Sequence, residues 1–146
     1  MSYTISLLRS FSFKPTSPSE IARFLNNRIT ERNENDLFVT FFIGVLNLKT
    51  GALNYCNAGH MPPVITYPDR TCSFFDIQAD LPLGILTDHS YPEYSYHFSP
   101  GSGILLYTDG VTEAENKEGA FYTKERLLQI ILSLIHISEP TRLALI

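Results

Sequence analysis

Leu37–Cys56 reads LFVTFFIGVLNLKTGALNYC. From Leu37 to Leu48 the segment is rich in β-branched and aromatic residues and carries no charge, which predicts a strand. It looks too apolar for a sheet edge, so a central position is expected. Lys49-Thr50-Gly51 supplies a tight turn, and Ala52 to Cys56 returns as the partner strand. Strands joined in this way pair antiparallel. That hairpin decides the fold class, and the flanking segments extend it.

Downstream, Asn57-Ala58-Gly59-His60 precedes Met61-Pro62-Pro63, whose prolines cannot join a ladder, so the chain must leave the sheet or run at its edge. Val64–Tyr67 and Cys72–Phe75 read as two strands around the turn Pro68-Asp69-Arg70. Leu81-Pro82-Leu83-Gly84-Ile85 is an apolar loop expected to pack across the sheet, and Tyr94–Phe98 alternates as a further strand. Thr123 can cap a last helix whose buried side is Leu127, Leu128, Ile130 and Ile131. Upstream, Ser17-Pro18-Ser19-Glu20 carries a capping box with proline at the first helical position. Ile21, Phe24, Leu25 and Ile29 then give one buried stripe, leaving Arg23, Asn27 and Arg28 to solvent. Ile5, Leu7, Leu8 and Phe11 suggest an earlier short helix that Pro15 ends, and Glu31–Asp36 is a loop. Helices, a run of hairpin-connected strands and a closing helix describe an α+β fold with helices packed on antiparallel sheet.

The chain of 146 residues is long enough for a hydrophobic core, and 44% hydrophobic with 18% charged residues describes a globular chain, not a disordered one. A formal charge of −4 without a Lys/Arg cluster argues against a nucleic-acid surface. No apolar run is long enough to span a bilayer, and the start lacks a signal-peptide layout. Cys56 and Cys72 fit neither a disulfide scaffold nor a metal-ligand spacing. They read as small buried hydrophobes in strands, and a cytoplasmic location follows as the expectation.

Gly103–Glu115, GILLYTDGVTEAE, is the stretch most suggestive of chemistry. Ile104 to Tyr107 reads as a buried strand with apolar side chains on both faces, stopping at Thr108-Asp109-Gly110. Gly110 would let the backbone turn tightly, and Glu113-Ala114-Glu115 opens a polar, helix-tolerant segment. Two readings of Asp109 stand: a residue that caps the following turn, or a strand-end carboxylate that holds a metal ion or orients a water. His60 likewise reads either as a proton shuttle or as part of a structured turn in which Gly59 takes an unusual conformation. Glu113 and Glu115 could contact a metal indirectly, or simply belong to a solvated helix start. His89, His97 and His136 have no partners at ligand spacing and read as surface residues. Asp69, Asp76, Asp80 and Asp88 read as loop residues without a special role, and Tyr91, Tyr94 and Tyr96 as packing.

Four segments together resemble the SpoIIE/RsbU branch of the PP2C-like, metal-dependent protein phosphatases. They are FVTFFIGVLNLKTGALNYCNAGHMPPVI (Phe38–Ile65), LPLGI (Leu81–Ile85), PGSGILLYTDGVTEAEN (Pro100–Asn116) and FYTKERL (Phe121–Leu127). The resemblance covers roughly residues 1 to 131 and implies a PP2C-like sandwich of antiparallel sheets and helices. It implies that Asp109 is a ligand of a divalent metal pair, manganese or magnesium, with Gly110, His60 and Glu113 as secondary candidates; it does not name His60 as a metal ligand. Hard divalent cations take oxygen ligands. Paired, they activate a bridging water that attacks phosphorus in line, without a covalent intermediate. The implied activity is protein serine/threonine phosphatase in bacterial signal transduction. The implied substrate is a phosphorylated protein, in partner switching typically a STAS-type anti-sigma-factor antagonist, with an upstream sensor domain. The alternative is a non-catalytic module of the same fold that binds a phosphoprotein.

The sequence departs from that family pattern in ways that shape the expectation. The family's Gly-Asp-x-x-Gly-[Lys/His]-Gly segment would lie before Met1, and a later aspartate would lie beyond about Ile131. The reading is therefore a partial phosphatase domain, 1–131, that does not assemble a two-metal site alone and is poorly soluble because strand edges are exposed. Leu132–Arg142, LSLIHISEPTR, resembles the translation of a transposon-type sequencing-library adapter, so 132–146 is expected to be non-native; the other reading is a helix that continues to Ser138 and stops before Pro140.

Overall fold

The computed structural model describes residues 17–31, 33 and 37–137, and side chains as far as Ile135. The helix expected within Met1–Phe13, most of the Glu31–Asp36 loop and the last residues of the tail lie outside the described residues. The chain divides into two compact units, one of residues 1–60 and 77–98 and one of 61–76 and 99–146.

In the first unit, helix α1 (Pro18–Thr30) begins as its sequence requires. Ser17 Oγ accepts from Glu20 N at 3.2 Å while Glu20 Oε2 accepts from Ser17 N at 3.3 Å. Strand β1 (Phe41–Leu46) pairs antiparallel with β2 (Ala52–Ala58), in register Phe41 to Ala58 through Leu46 to Leu53. The hairpin at Lys49-Thr50-Gly51 is as expected. A later strand, Tyr94–His97, adds to the far side of β2. The sheet order puts β2 in the centre. β1 is thus an edge strand among the described residues, which corrects the central position expected of it. Ile43 of β1 packs into the core beneath α1, while Val45, Leu46 and, beyond the strand, Leu48 remain exposed. The core beneath α1 joins Ala22, Leu25 and Ile29 to Ile43, Cys56, Ala58, Leu83 and Tyr91. Ile21 and Phe24 lie at its rim.

The second unit holds β3 (Val64–Thr66) between β4 (Cys72–Phe74) and β6 (Gly103–Leu105), the Tyr94–His97 strand being β5. Pro62 and Pro63 fall where the chain leaves the first sheet, as expected. The Gly103 strand ends at Leu105, pairs only with β3 among the described residues, and leaves Leu105 and Leu106 exposed. The expectation of a strand buried on both faces through Tyr107 is therefore overturned. Exposure of Leu105 and Leu106 means that nothing among the described residues packs over their side chains, while Tyr107 turns into the core. A single turn, α2 (Asp109–Thr112), and helix α3 (Lys124–Ile137) complete the unit. α3 crosses the Ile131 boundary drawn from the sequence. It buries Leu127 and Ile131 and half-buries Leu128, but Ile130 is exposed, against expectation. No helix among the described residues is long and apolar enough to cross a membrane.

Candidate functional site

Asp109 stands at the first position of α2, after an extended Thr108 with φ −109° and ψ 165°. It therefore lies four residues past the end of β6, at a helical turn and not on the strand itself. Its carboxylate is exposed, and Oδ1 accepts from Gly110 N at 2.8 Å. Gly110 has no positive φ, and a Cβ there would meet only Thr108 Oγ1 at 3.6 Å. The tight turn assigned to Gly110 thus makes no demand that only glycine meets. Glu113 is exposed and closes the turn, its N donating to Asp109 O at 2.8 Å. The helix-tolerant segment read at Glu113-Ala114-Glu115 does not continue as a helix, and Glu115 bridges to Phe121 in a small hairpin. Asn116 folds that hairpin by accepting from Glu118 N at 3.0 Å and Ala120 N at 2.8 Å.

Buried Thr112 anchors the Asp109 turn from behind. Its Oγ1 donates to Asp109 O at 3.3 Å, and its carbonyl accepts from Thr123 N at 3.1 Å. Tyr107 packs with Val64, Leu127 and Ile131. Its buried hydroxyl has no hydrogen-bond partner among the described residues, and burial pushes its pKa up.

His60 belongs to the first unit, whereas Asp109, Gly110 and Glu113 share one turn of the second. The Asn57–His60 segment is the structured turn that the sequence suggested. His60 N donates to Asn57 Oδ1 at 2.8 Å and Asn57 Nδ2 to His60 O at 3.1 Å. Gly59 between them has φ +72°, and a Cβ there would lie 2.8 Å from Pro82 Cγ, so glycine is required on two grounds.

Several residues read as passive turn out to organise the first unit. His89, expected at the surface without a partner, is half-buried, with Nε2 2.8 Å from Asp80 Oδ1 and its ring edge-on to Tyr91 at 4.8 Å. Asp80, expected to have no role, also accepts from Leu81 N at 2.6 Å and donates its own N to Asn57 O at 2.9 Å. Asn27 is not simply solvated but exchanges hydrogen bonds with Asp88, at 2.9 and 3.0 Å. Asn26, which sequence reading passed over, is 0% exposed. It accepts from Gly84 N at 2.9 Å and Tyr91 Oη at 3.1 Å and donates to Leu86 O at 2.8 Å. A signal existed: Ala22, Leu25, Asn26 and Ile29 fall on one helical stripe, and a polar residue there must be hydrogen-bonded. Burial, with Glu93 and Asp80 nearby, pushes the Cys56 thiol up to about 11. Burial, with Asp80 and Cys56 nearby, takes Tyr91 to about 12.

Among the described residues, no group of three or more His, Cys, Asp or Glu is arranged to hold a metal ion. Asp109 offers one carboxylate where two cations would need several. The residues in view therefore do not make up the metal pair that the resemblance implies.

Comparison with known proteins bears on the family. The family model described as Stage II sporulation protein E (SpoIIE) matches residues 1–144. The phosphoserine phosphatase RsbU of Bacillus subtilis (strain 168) is 32% identical over 103 residues, which are 70% of this chain and 30% of RsbU. The crystal structure of the RsbU and RsbW domains of a Mycobacterium tuberculosis protein matches with TM-score 0.78 and 24% identity, over 96% of this chain and 39% of that one. The PP2C phosphatase domain of Bacillus subtilis SpoIIE, solved with a fragment of its regulatory domain, matches with TM-score 0.64 and 16% identity, over 92% and 43%. At these identities the two structures speak to the fold alone, which is the mixed α+β fold with antiparallel sheets described above. The chain spans less than a third of the length of the curated relatives it matches. With the NAGHMPP, LPLGI and DGVTEA segments in their places, the chain belongs to the SpoIIE family, in the RsbU-type branch of the PP2C-like phosphatases.

Proposed function

We propose that the protein to which this chain belongs is a metal-dependent protein serine/threonine phosphatase of bacterial signalling. Its substrate in this reading is a phosphorylated protein, a STAS-type antagonist of an anti-sigma factor being the specific candidate. The reading places the protein in the cytoplasm, under an upstream sensor domain. The observation that carries it is the DGVTEA turn, which presents the Asp109 carboxylate to solvent with one oxygen held by Gly110 N. Asp109 would give one oxygen ligand to manganese or magnesium. In this reading its partner carboxylates are not among the described residues. Residues 132–146 remain, in this proposal, a non-native tail.

No step of phosphate hydrolysis is assigned to the described residues, because a lone carboxylate does not make the centre. The expectation for the chain by itself is that it binds no metal pair. Isothermal titration with manganese checks this, and tight uptake of two ions per chain would refute it. For the parent activity, a chain extended at both ends is assayed with manganese and a phosphopeptide. Metal-dependent release of phosphate is expected, and its loss in Asp109→Ala would tie that turn to the chemistry. The same lone carboxylate also favours a second reading, a non-catalytic module that binds a phosphoprotein; an extended chain that binds the phosphopeptide but releases no phosphate selects it.

A further inference from the structure

Among the described residues, three other than glycine carry a positive φ: Arg70 at +66°, Asp88 at +57° and Thr123 at +68°. Thr123 is the outlier of the three, because a β-branched side chain crowds its own backbone in the left-handed region. It stands where the Glu115–Phe121 hairpin leads into α3, and anchors on both sides hold it there. Before it, Tyr122 N donates to Ala114 O at 2.8 Å, and the Tyr122 ring packs against the cluster of Val64, Tyr107, Leu127 and Ile131. The Arg126 guanidinium lies over the same ring, 5.1 Å from its centre. After it, Leu127 is buried and its N donates to Thr123 O at 3.3 Å, while the Glu125 carboxylate accepts from the Thr123 side chain. The chain changes direction in the one residue between these anchors. Such strain persists only where the surroundings over-determine it.

We propose that Thr123 is a positioning residue for the Asp109 turn, a strained joint whose left-handed backbone lets its N–H hold that turn while its carbonyl opens α3. The N–H donates to Thr112 O at 3.1 Å, and Thr112 Oγ1 donates in turn to Asp109 O at 3.3 Å. The turn has other supports. Val111 N to Thr108 O at 3.0 Å and Glu113 N to Asp109 O at 2.8 Å act within it, and buried Tyr107 fixes the approach to it. The Ala114–Tyr122 and Glu115–Phe121 pairs zip the hairpin behind it. Thr123 adds a direct bond from the start of α3 to the residue that bonds Asp109. A change of φ to the right-handed region would swing its N–H away from Thr112 while α3 stays in place. The bearing of this joint on catalysis rests on the proposal that Asp109 is a metal ligand; the joint itself does not.

The test uses the full chain without metal or phosphate, so its failure and that of the phosphatase reading are separate results. Thr123→Gly and Thr123→Ala both lose the side-chain hydroxyl and differ in their tolerance of positive φ. At an ordinary φ the alanine variant is the more stable of such a pair. Here the glycine variant is expected to lead, by roughly fivefold in the unfolding equilibrium constant. Nuclear magnetic resonance then follows the amides of Gly110 and Glu113, which donate to Asp109 Oδ1 and Asp109 O. Thr123→Pro removes the N–H and forbids positive φ, and it is expected to shift both signals. Thr123→Gly is expected to leave them in place, and so is the control Lys124→Ala, at the exposed neighbour on the α3 side. An alanine variant as stable as the glycine variant overturns the proposal. So do unmoved Gly110 and Glu113 signals in folded Thr123→Pro, or an equal shift in the control. Should Thr123→Pro fail to fold, the coupling across the hydrogen bond from residue 123 N to the Thr112 carbonyl carbon decides in Thr123→Gly: its presence is expected, and its absence overturns the proposal.

Discussion

The two units solve the same problem, covering a small antiparallel sheet, with different resources. In the first, α1 lies on β1 and β2, and the loop that follows residue 80 adds Leu83 and Tyr91 to the same core. Its buried polar side chains, Asn26 and Asn57, each have hydrogen-bond partners for both their oxygen and their nitrogen. In the second, the strands are three residues long, the cluster centres on Val64, Tyr107, Leu127 and Ile131, and the buried Tyr107 hydroxyl has no partner among the described residues. The difference is one of polar bookkeeping. A buried hydrogen bond contributes about 1 kcal/mol, but a buried polar group left alone costs about 1–3 kcal/mol. The first unit gains rigidity from its buried amides, whereas the second carries a cost beside the turn that presents Asp109.

The sharpest way to break this contrast is to strip the first unit of its polar hub. Asn26→Leu keeps the volume but leaves Gly84 N, Leu86 O and Tyr91 Oη without their partner. A loss of about 3 kcal/mol in denaturant unfolding is expected, because more than one orphaned group is created at once. A change below roughly 0.5 kcal/mol, the range of an ordinary surface substitution, would show that the network is incidental.

Alkaline titration sharpens the contrast further. Cys56 is raised from 9.0 to about 11 and Tyr91 from 10.0 to about 12 in the folded chain. The unfolded chain therefore gives up these protons first as pH rises. Their contribution to stability is complete below pH 9 and lost as pH climbs from about 9 to 12. Unfolding midpoints measured across that window should fall, and the fall should be shallower in Cys56→Ala and Tyr91→Phe. A flat profile would contradict the burial assigned to this pair.

The smallest effect is expected in the second unit. Tyr107→Phe removes a hydroxyl that has no partner among the described residues, so stability should stay level or rise by up to about 1 kcal/mol. A clear loss in the same unfolding measurement would reveal a partner for that oxygen and dissolve the distinction between the units.

Much of this was legible in the residues. The capping box, the hairpin at Lys49-Thr50-Gly51, the departure at Pro62-Pro63 and the special conformation of Gly59 follow from local chemistry, which acts over a few residues wherever they stand. The segments DGVTEA, NAGHMPP and LPLGI carried the family resemblance. Errors gathered where a residue's surroundings depend on distant chain. Apolar runs at Leu37–Leu48 and Ile104–Tyr107 each overlap a strand, but the strands are shorter than the runs, at Phe41–Leu46 and Gly103–Leu105, and hydrophobicity did not say how many neighbours each would have. His89 and Asp80, nine residues apart, meet because a loop doubles back, which no periodicity encodes.

The sequence by itself determined the elements, the α+β class and the family, because these rest on short-range patterns and on an ordered set of motifs. Only the tertiary structure decided that β1 and β6 lie at edges, that Asn26 is the polar hub of the first unit, and that Asp109 opens a helical turn with its carboxylate exposed. Those outcomes depend on which surfaces meet. Such meetings are settled by burial and hydrogen-bond satisfaction over the whole unit, not by any one stretch of chain.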